Sequence, residues 1–371
     1  EHVVFNNQCS LIPASLRPLL IRGEGCCWLD TTDEHLVSRF FGSPEHLPFT
    51  VCFSGIIYLC NRELSQQRSR THVVGTLLQI LEYIVGLSHA NKKRVRVSRI
   101  GRTYERRDLV LVKVSKNFTA KNPVILVDCG SHAREWAAVA AGLALLQDVV
   151  YDVNHLLDGV DWYIIPNVNP DGYEYSRKTD RMWRKNRSRH PKDKCFGTDL
   201  NRNYDFHWAE SGVSKDPCDT ETFAGFYAFS EPETRAVKSV MFRYSNSIKL
   251  YLSLHAYGRY MVHPFGYTKD ILPPDWQKMQ KFAKTVTDAA TSLNENYTYS
   301  IMSAGQWYPA AGGSDDYAYG VVRIPYSFTL EITNGYEFDY PAEKLPELYR
   351  EMSTIFETAR ALISEEFKKT K

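Results

Sequence analysis

Short runs of almost wholly apolar residues recur along this chain and alternate with stretches that have helical spacing. The runs are RVRVSRI, DLVLVKVS, NPVILVDCG, DWYIIPNVN, IKLYLSLHAY and IPYSFTLEIT, and REWAAVAAGLALLQDVV is one of the helical stretches between them. A strand that is apolar on both sides is buried on both faces of its sheet, so helices must cover the sheet above and below. We therefore predict an α/β fold with a mixed, largely parallel sheet covered by helices on both faces.

The composition changes within residues 61–70, NRELSQQRSR, which are polar and lack apolar periodicity. A stretch of this kind is typical of an exposed linker, and a trypsin-like protease could cut it after Arg68 or Arg70. We therefore predict two parts, a small N-terminal segment over residues 1–70 and the large α/β domain over residues 71–371. The N-terminal segment is rich in cysteine, with Cys9, Cys26, Cys27, Cys52 and Cys60.

The charge balance excludes two classes of partner. The chain has 45 Lys and Arg residues against 43 Asp and Glu residues, a net charge of +2, so no global field attracts nucleic acid or an anionic membrane. The most lipid-like stretch, residues 49–60, is shorter than the roughly 20 apolar residues that a spanning helix needs. We expect neither a nucleic-acid partner nor a membrane partner.

Cysteine usage indicates an oxidising compartment. Cys195 and Cys218 bracket a polar loop, which is typical of a disulfide, whereas Cys129 ends an apolar run and is expected to be a small buried hydrophobe. The chain starts at Glu1 without a leader sequence, so we expect that any secretory signal has been removed or lies outside it. Three sequons for N-glycosylation agree with secretion, at Asn117, Asn186 and Asn296, although such three-residue patterns often arise by chance. We predict a secreted protein.

Candidate metal ligands stand at the ends of three of the predicted strands. His132 and Glu135 follow the third strand in GSHAREW, His255 ends the fifth in SLHAYG, and Glu331 ends the sixth in FTLEIT. Ligands of open α/β sheets collect at the carboxyl ends of strands. Two histidines and one carboxylate are the nitrogen and oxygen set of a catalytic zinc site that keeps a position for water. The arrangement is typical of a hydrolase.

Each of these patterns is weak in isolation. A His-x-x-Glu pair at a helix start is more often a surface feature or a cap, and a lone histidine at a strand end is more often hydrogen-bonded beside the core. The evidence is that all of them fall at the same end of buried strands. Glu331 adds weight, because a carboxylate inside an apolar run is costly to bury without a metal, a water or a cation nearby.

At these residues the chain resembles the zinc metallocarboxypeptidases of the pancreatic and digestive A/B type, over about residues 75–371. Five separated motifs keep the order of that family: HAREW, RMWRKNR, DLNRNYD, LHAYG, and YPAAGGSDD followed by SFTLE. The resemblance implies one Zn²⁺ per chain, with His132, Glu135 and His255 as its ligands. It also implies that Glu331 is the general base that activates the attacking water.

The resemblance implies further roles in binding the substrate. Arg184 would stabilise the oxyanion, Asn201 and Arg202 would hold the terminal carboxylate of the peptide, and Tyr308 would close over it. An arginine suits a carboxylate because its planar fork binds both oxygens. Secondary substrate positions fall on Arg134, Arg181 and Tyr257, and Asp199 is the carboxylate behind the first zinc histidine. The peptide bond between Ala256 and Tyr257 is expected to be cis.

Asp315 is the residue expected to set specificity. The family has an aspartate at this place when the C-terminal residue of the substrate is Lys or Arg, so the resemblance implies B-like specificity; Asp316 is expected to be structural. Asp315 could instead cap a turn, which would leave an A-like preference for apolar residues. Trp307 and Ser303 lie near the same pocket and leave its depth open. A rival of another class is a catalytically silent, carboxypeptidase-like binding protein, which the intact motifs argue against.

The N-terminal segment does not follow the family. Residues 1–70 are shorter and richer in cysteine than the propeptides of digestive members, and could be an inhibitory propeptide, a separate module, or a stretch not natively folded with the enzyme. The partners implied are the C-termini of peptides and proteins, an activating trypsin-like protease, and proteinaceous carboxypeptidase inhibitors. The 40 residues after Glu331 leave no room for the extra C-terminal domain of the regulatory branch, so none is expected.

Overall fold

The computed structural model describes residues 75–190 and 194–368, together with four short strands in the first part of the chain. These strands pair antiparallel in the order β1-β2-β4-β3 and are β1 (Leu20–Gly23), β2 (Cys26–Leu29), β3 (Phe49–Thr50) and β4 (Ile57–Asn61). Contacts divide the chain into two compact units, Glu1–His72 and Val73–Lys371. The cleavage sites predicted at Arg68 and Arg70 lie outside the described residues.

Eight strands of the second unit form one mixed sheet in the order β11-β10-β12-β9-β7-β8-β6-β5. The four neighbours β12, β9, β7 and β8 run parallel, whereas β6 runs antiparallel to β8 and to β5. The strands are β5 (Val95–Arg102), β6 (Asp108–Val114), β7 (Val124–Cys129), β8 (Asp161–Ile165), β9 (Ile248–Ala256), β10 (Tyr260–His263), β11 (Ser300–Ser303) and β12 (Tyr326–Ile332). The predicted α/β sheet is confirmed, and the short strands β10 and β11 are additions to it.

Helices surround this sheet. They are α1 (Leu77–Ala90), α2 (Trp136–Tyr151), α3 (Pro170–Lys178), α4 (Pro232–Arg243), α5 (Trp276–Leu293), α6 (Ala304–Trp307), α7 (Ser314–Gly320) and α8 (Leu345–Glu366). Local sequence explains where several begin. Thr76 and Gln79 form a capping box at the start of α1, and Asn169 accepts from the Gly172 N–H beside the first-turn proline of α3. Within the described part of the chain, no helix has the length and apolarity needed to cross a membrane.

Alternate side chains of the central strands point to opposite faces and build two cores. On one face, Ile125 and Val127 of β7 pack in a cluster with apolar residues of α1, α2, α5 and α8. On the other face, Leu126 belongs to a second cluster with residues of α4 and α7. This two-residue alternation is the reason that both sides of each strand had to be apolar.

Helix α2 approaches β7 closely because of one glycine. A Cβ atom at Gly142 would lie 2.3 Å from Sγ of Cys129, so any larger residue would push the helix away from the strand. Cys129 itself is fully buried and is not in a disulfide. The prediction that it packs as a small hydrophobe is confirmed.

The described residues contain the disulfide expected between Cys195 and Cys218, with an S–S distance of 1.98 Å. Asn117 and Asn296 are exposed on loops. The Asn186 sequon is different, since its side chain is fully buried and Nδ2 donates to Glu231 Oε2 at 2.7 Å and Glu233 Oε2 at 3.1 Å. Asn186 is therefore a buried structural residue, unlike the exposed Asn117 and Asn296.

Candidate metal and substrate site

Three side chains that can bind metal meet at the carboxyl edge of the central strands. His132 and Glu135 lie in the turn between β7 and α2, and His255 lies near the end of β9; all three are buried. His132 Nδ1 is 2.7 Å from Glu135 Oε1, and His255 Nδ1 is 3.0 Å from both His132 Nδ1 and Glu135 Oε2. Their potential ligand atoms all lie within 4.8 Å of one another, so this metal-site cluster is a possible site for one ion.

The second nitrogen of each imidazole is held by a partner outside the metal-site cluster. His132 Nε2 lies 3.0 Å from Asp199 Oδ1, and His255 Nε2 lies 3.0 Å from Ser253 Oγ. Ser253 in turn donates to Asp128 Oδ1 at 2.7 Å. Such partners fix the orientation of a metal-binding imidazole, and here they direct both Nδ1 atoms toward Glu135. The residue types and their orientation therefore fit a zinc ion.

The charged groups of the metal-site cluster change one another's pKa. Burial alone would raise the pKa of Glu135, but the attraction of His132 and His255 lowers it overall. Burial opposes the charged form of His255, yet Glu135 outweighs this effect and raises the pKa of His255 to about 9. Protons therefore compete with a metal ion for this site, and we expect metal affinity to fall as the pH falls.

Asp199 connects the metal-site cluster to Arg184. Its second oxygen, Oδ2, accepts hydrogen bonds from Arg184 Nε at 3.0 Å and Nη2 at 2.8 Å. Burial would lower the pKa of Arg184, but Asp199 raises it overall. Burial likewise opposes ionisation of Asp199, yet Arg184 and His132 hold its pKa well below the usual range. One carboxylate thus fixes both a potential ligand and a permanently charged guanidinium.

Glu331 stands opposite His255 in the parallel pairing of β12 with β9. It is 6% exposed. Burial raises the pKa of its carboxyl to about 8, and repulsion from Glu135 adds to this effect, while His255 and Arg184 oppose it. The structure therefore brings a carboxyl that can exchange a proton near neutral pH to the same edge as the metal-site cluster.

The turn at Leu200–Arg202 connects Asp199 to the helix that carries Asp315, the predicted specificity residue. Asp199 Oδ1 accepts from the N–H of Asn201, and Asn201 Oδ1 accepts from the N–H of Ser314 at 2.9 Å, at the first residue of α7. Arg202 is buried and donates through Nη1 to the Asn201 carbonyl at 2.8 Å. Asn201 is therefore fixed to the helix that carries Asp315, and Arg202 is hydrogen-bonded to Asn201.

Asp315 and Asp316 are both buried but have different surroundings. Asp316 accepts hydrogen bonds from the N–H groups of Gly266 and Tyr267, at 2.8 Å and 3.2 Å, which is the structural role expected for it. Asp315 is 4% exposed, and its Oδ2 has no hydrogen-bond partner among the described residues. Burial raises the pKa of Asp315. A buried carboxylate oxygen without a donor is costly unless a ligand supplies the missing hydrogen bond.

Tyr308 is placed next to Arg202. Its side chain is 39% exposed, and the Arg202 guanidinium lies 5.8 Å from the centre of its ring. The neighbouring Trp307 stacks on Tyr260 with ring centres 4.4 Å apart. Ser303, whose effect on the pocket was left open, is the buried N-cap of α6 and forms a capping box with Gln306.

The remaining predicted residues, Arg134, Arg181 and Tyr257, pack against aromatic rings, and we call them the rim residues. The Arg134 guanidinium lies 4.3 Å over the ring of Phe338, and the Tyr257 ring packs edge-on against the same ring at 5.1 Å. Arg181 donates to the Arg134 carbonyl at 2.9 Å. The Ala256–Tyr257 peptide bond is cis, which confirms the expectation. Glu221 was not predicted and accepts from Arg134 through both carboxylate oxygens.

Comparisons with known proteins found a matching family model and several similar proteins. The family model described as zinc carboxypeptidase matches residues 80–354. Carboxypeptidase B of Astacus astacus is 38% identical over 255 residues, 67% of this chain and 83% of that protein, and carboxypeptidase B of Homo sapiens is 42% identical over 255 residues, 66% and 60% of the two chains. The structure of bovine thrombin-activatable fibrinolysis inhibitor with tick carboxypeptidase inhibitor matches with a TM-score of 0.74 and 35% identity, covering 79% of this chain and 98% of that one.

Proposed function

Since the chain belongs to the zinc carboxypeptidase family, we propose that this hydrolase removes C-terminal Lys or Arg residues from peptides and proteins. The observation that carries the preference is the buried Asp315 carboxylate, whose Oδ2 lacks a partner among the described residues, on the helix joined to Asn201. A substrate ammonium or guanidinium would supply the missing donor. Relatives named carboxypeptidase B support the same preference.

We propose that His132, Glu135 and His255 hold one zinc ion, because their ligand atoms converge and both imidazoles are oriented from behind. When bound, zinc lowers the pKa of water toward about 7 and polarises the carbonyl of the peptide bond. Glu331 accepts the proton of the attacking water and returns it to the departing amine. A pKa near the working pH suits a group that both takes up and releases a proton.

Arg184 has the charge and the fixed position to stabilise the developing oxyanion, because Asp199 anchors it through two hydrogen bonds. Asn201 and Arg202 bind the C-terminal carboxylate, and Tyr308 closes beside Arg202. The rim residues Arg134, Arg181 and Tyr257 contact the substrate upstream of the cleaved bond. With these roles, the predicted site residues follow one bound peptide from its C-terminal residue to the residues before the cleaved bond.

The function is tested with a peptide that ends in arginine and its C-terminally amidated twin. The free peptide should lose its arginine, and amidation should lower kcat/KM by about 100-fold or more, because Arg202 then lacks its charged partner. Peptides ending in Lys, Phe and Leu complete the set. Equal cleavage of the amidated twin would contradict an exopeptidase, and release of Phe or Leu as fast as Arg would support the A-like alternative.

We also propose that the protein is secreted and carries glycans at Asn117 and Asn296. The Cys195–Cys218 disulfide and the exposure of both asparagines support this. We expect no glycan at Asn186, because in the folded protein its side-chain amide is hydrogen-bonded to two carboxylates. Protein purified from the medium of secreting eukaryotic cells should show, by mass spectrometry after deglycosylation, conversion of Asn117 and Asn296 to aspartate and no conversion of Asn186. An unmodified secreted protein would contradict the glycan sites.

Two protein partners are proposed for the enzyme. A trypsin-like protease would cut after Arg68 or Arg70 and separate residues 1–70 from the catalytic domain at 71–371, as the name thrombin-activatable suggests for one similar protein. A proteinaceous carboxypeptidase inhibitor would bind the enzyme, since the same similar protein forms a complex with tick carboxypeptidase inhibitor. Both proposals rest on similarity, and the activating protease is supported also by the basic residues of the linker.

A further inference from the structure

Two backbone carbonyls hold the buried guanidinium of Arg202. Nη1 donates to the carbonyl of Asn201 at 2.8 Å, and Nε donates to the carbonyl of Gly212 at 3.3 Å. Asp199 and Asp316 interact electrostatically with Arg202, but their hydrogen bonds come from other groups. Among the described residues, no ion pair joins Arg202 to a carboxylate. Neutral acceptors orient a guanidinium without neutralising it, so Arg202 is available to an anion.

Gly212 has a conformation and a neighbour that suit only glycine. Its φ is +61°, in the left-handed region, and a Cβ atom there would lie 1.7 Å from the carbonyl oxygen of Pro309. This neighbour is backbone, so it cannot turn aside as a flexible side chain would. The carbonyl of Ser211 accepts from the N–H of Ala311 at 3.0 Å, and Ser211 Oγ donates to the Tyr267 carbonyl at 2.6 Å. The Ser211–Gly212 bend is therefore fixed by backbone on two sides.

Resting on the proposed function, we propose that the Ser211–Gly212 bend positions the binding site for the C-terminal carboxylate of the substrate. On one side, the Gly212 carbonyl orients the guanidinium of Arg202. On the other side, the bend lies against residues 309–311, which directly follow Tyr308. Moving the bend would therefore change the distance between the guanidinium and the tyrosine. Displacing a group that positions a substrate by about 1 Å can lower the rate about 100-fold.

The test compares a peptide that ends in Arg with its C-terminally amidated twin in Gly212→Ala. The added methyl group must displace the bend or Pro309, so kcat/KM for the free peptide should fall by about 100-fold. The amidated peptide lacks the carboxylate that Arg202 binds, so its kcat/KM should change little and the ratio of free to amidated should approach one. Loss of folded protein alone would lower both rates equally and leave this ratio unchanged.

Gly159→Ala is the matched control. Gly159 also has a positive φ, +75°, and a Cβ atom there would lie 2.0 Å from Ser364 Oγ. It precedes β8, at the edge of the sheet opposite to the site, so the substitution should lower Tm without changing the ratio. Ser211→Ala is a milder variant of the bend. It removes only the hydrogen bond to the Tyr267 carbonyl and should lower the ratio about fivefold.

A folded Gly212→Ala enzyme that keeps the wild-type ratio would overturn the inference, as would an equal fall of the ratio in Gly159→Ala. Where Gly212→Ala does not fold, Ser211→Ala decides, and a wild-type ratio in that variant contradicts the inference. A wild-type enzyme that cleaves neither peptide, or both equally, would instead overturn the proposed function, and this inference with it.

Discussion

Glu331→Gln lowers kcat by about 10³-fold and leaves zinc bound, if Glu331 is the general base. The amide has nearly the same shape as the carboxyl but cannot accept the proton of the attacking water. Glu331 is not one of the three residues of the metal-site cluster, so the metal content should be unchanged. The measurement is kcat on a peptide ending in Arg, with zinc determined on the same preparation.

Glu331→Asp is the matched control for this substitution. It keeps a carboxylate but withdraws it by one methylene, so kcat should fall less than in Glu331→Gln. Circular dichroism separates loss of function from loss of the fold, because β12 is a central strand of the sheet. A Glu331→Gln enzyme with near-normal kcat and unchanged zinc would assign the proton transfer to another group.

Asp315→Ile should remove most of the preference for Arg as the C-terminal residue. In the wild type, the proposed function has a substrate guanidinium pair with Asp315, whereas Phe or Leu would leave the buried carboxylate without a cation. Sites built around a buried polar partner reject analogues that lack it by roughly 10⁴-fold. The substitution removes the charge and fills the space, so the ratio of Arg to Leu release should fall by on the order of 10³-fold or more.

Asp315→Asn provides the control with similar shape and no charge. It should also lose Arg release but should gain less Leu release than Asp315→Ile, because the polar amide stays buried. Zinc content should not change in either variant. If both variants retained the wild-type order of substrates, Asp315 would be a turn residue and the specificity would have another origin.

The sequence predicted the parts of the site that lie at the ends of long apolar strands. His132, His255 and Glu331 could be found because polar residues at the end of a buried run are conspicuous and because parallel strands share one edge. The same signal is present at Asp128, which is fully buried near the end of PVILVDC and accepts from Tyr251 and Ser253. Its role as a support for Ser253 depends on a neighbouring strand, so it emerges only from the fold.

Other features could not be derived from local sequence. The Arg134–Glu221 pair joins residues 87 positions apart, so only the folded loop shows that they meet. Strands β10 and β11 have four residues each and lie in mixed polar sequence, which is too short for a periodic pattern. Asn186 has the sequon of a glycan acceptor, and only the fold reveals that its amide donates to two buried carboxylates.

The central claim is that His132, Glu135 and His255 hold a catalytic zinc ion, and metal content measured together with activity tests it most directly. Purified enzyme should contain one zinc per chain, lose release of C-terminal Arg when a chelator removes the metal, and regain it in proportion to zinc added back. His255→Ala should bind little zinc and stay inactive after the same addition. Full release of Arg by protein that contains no zinc would contradict the account.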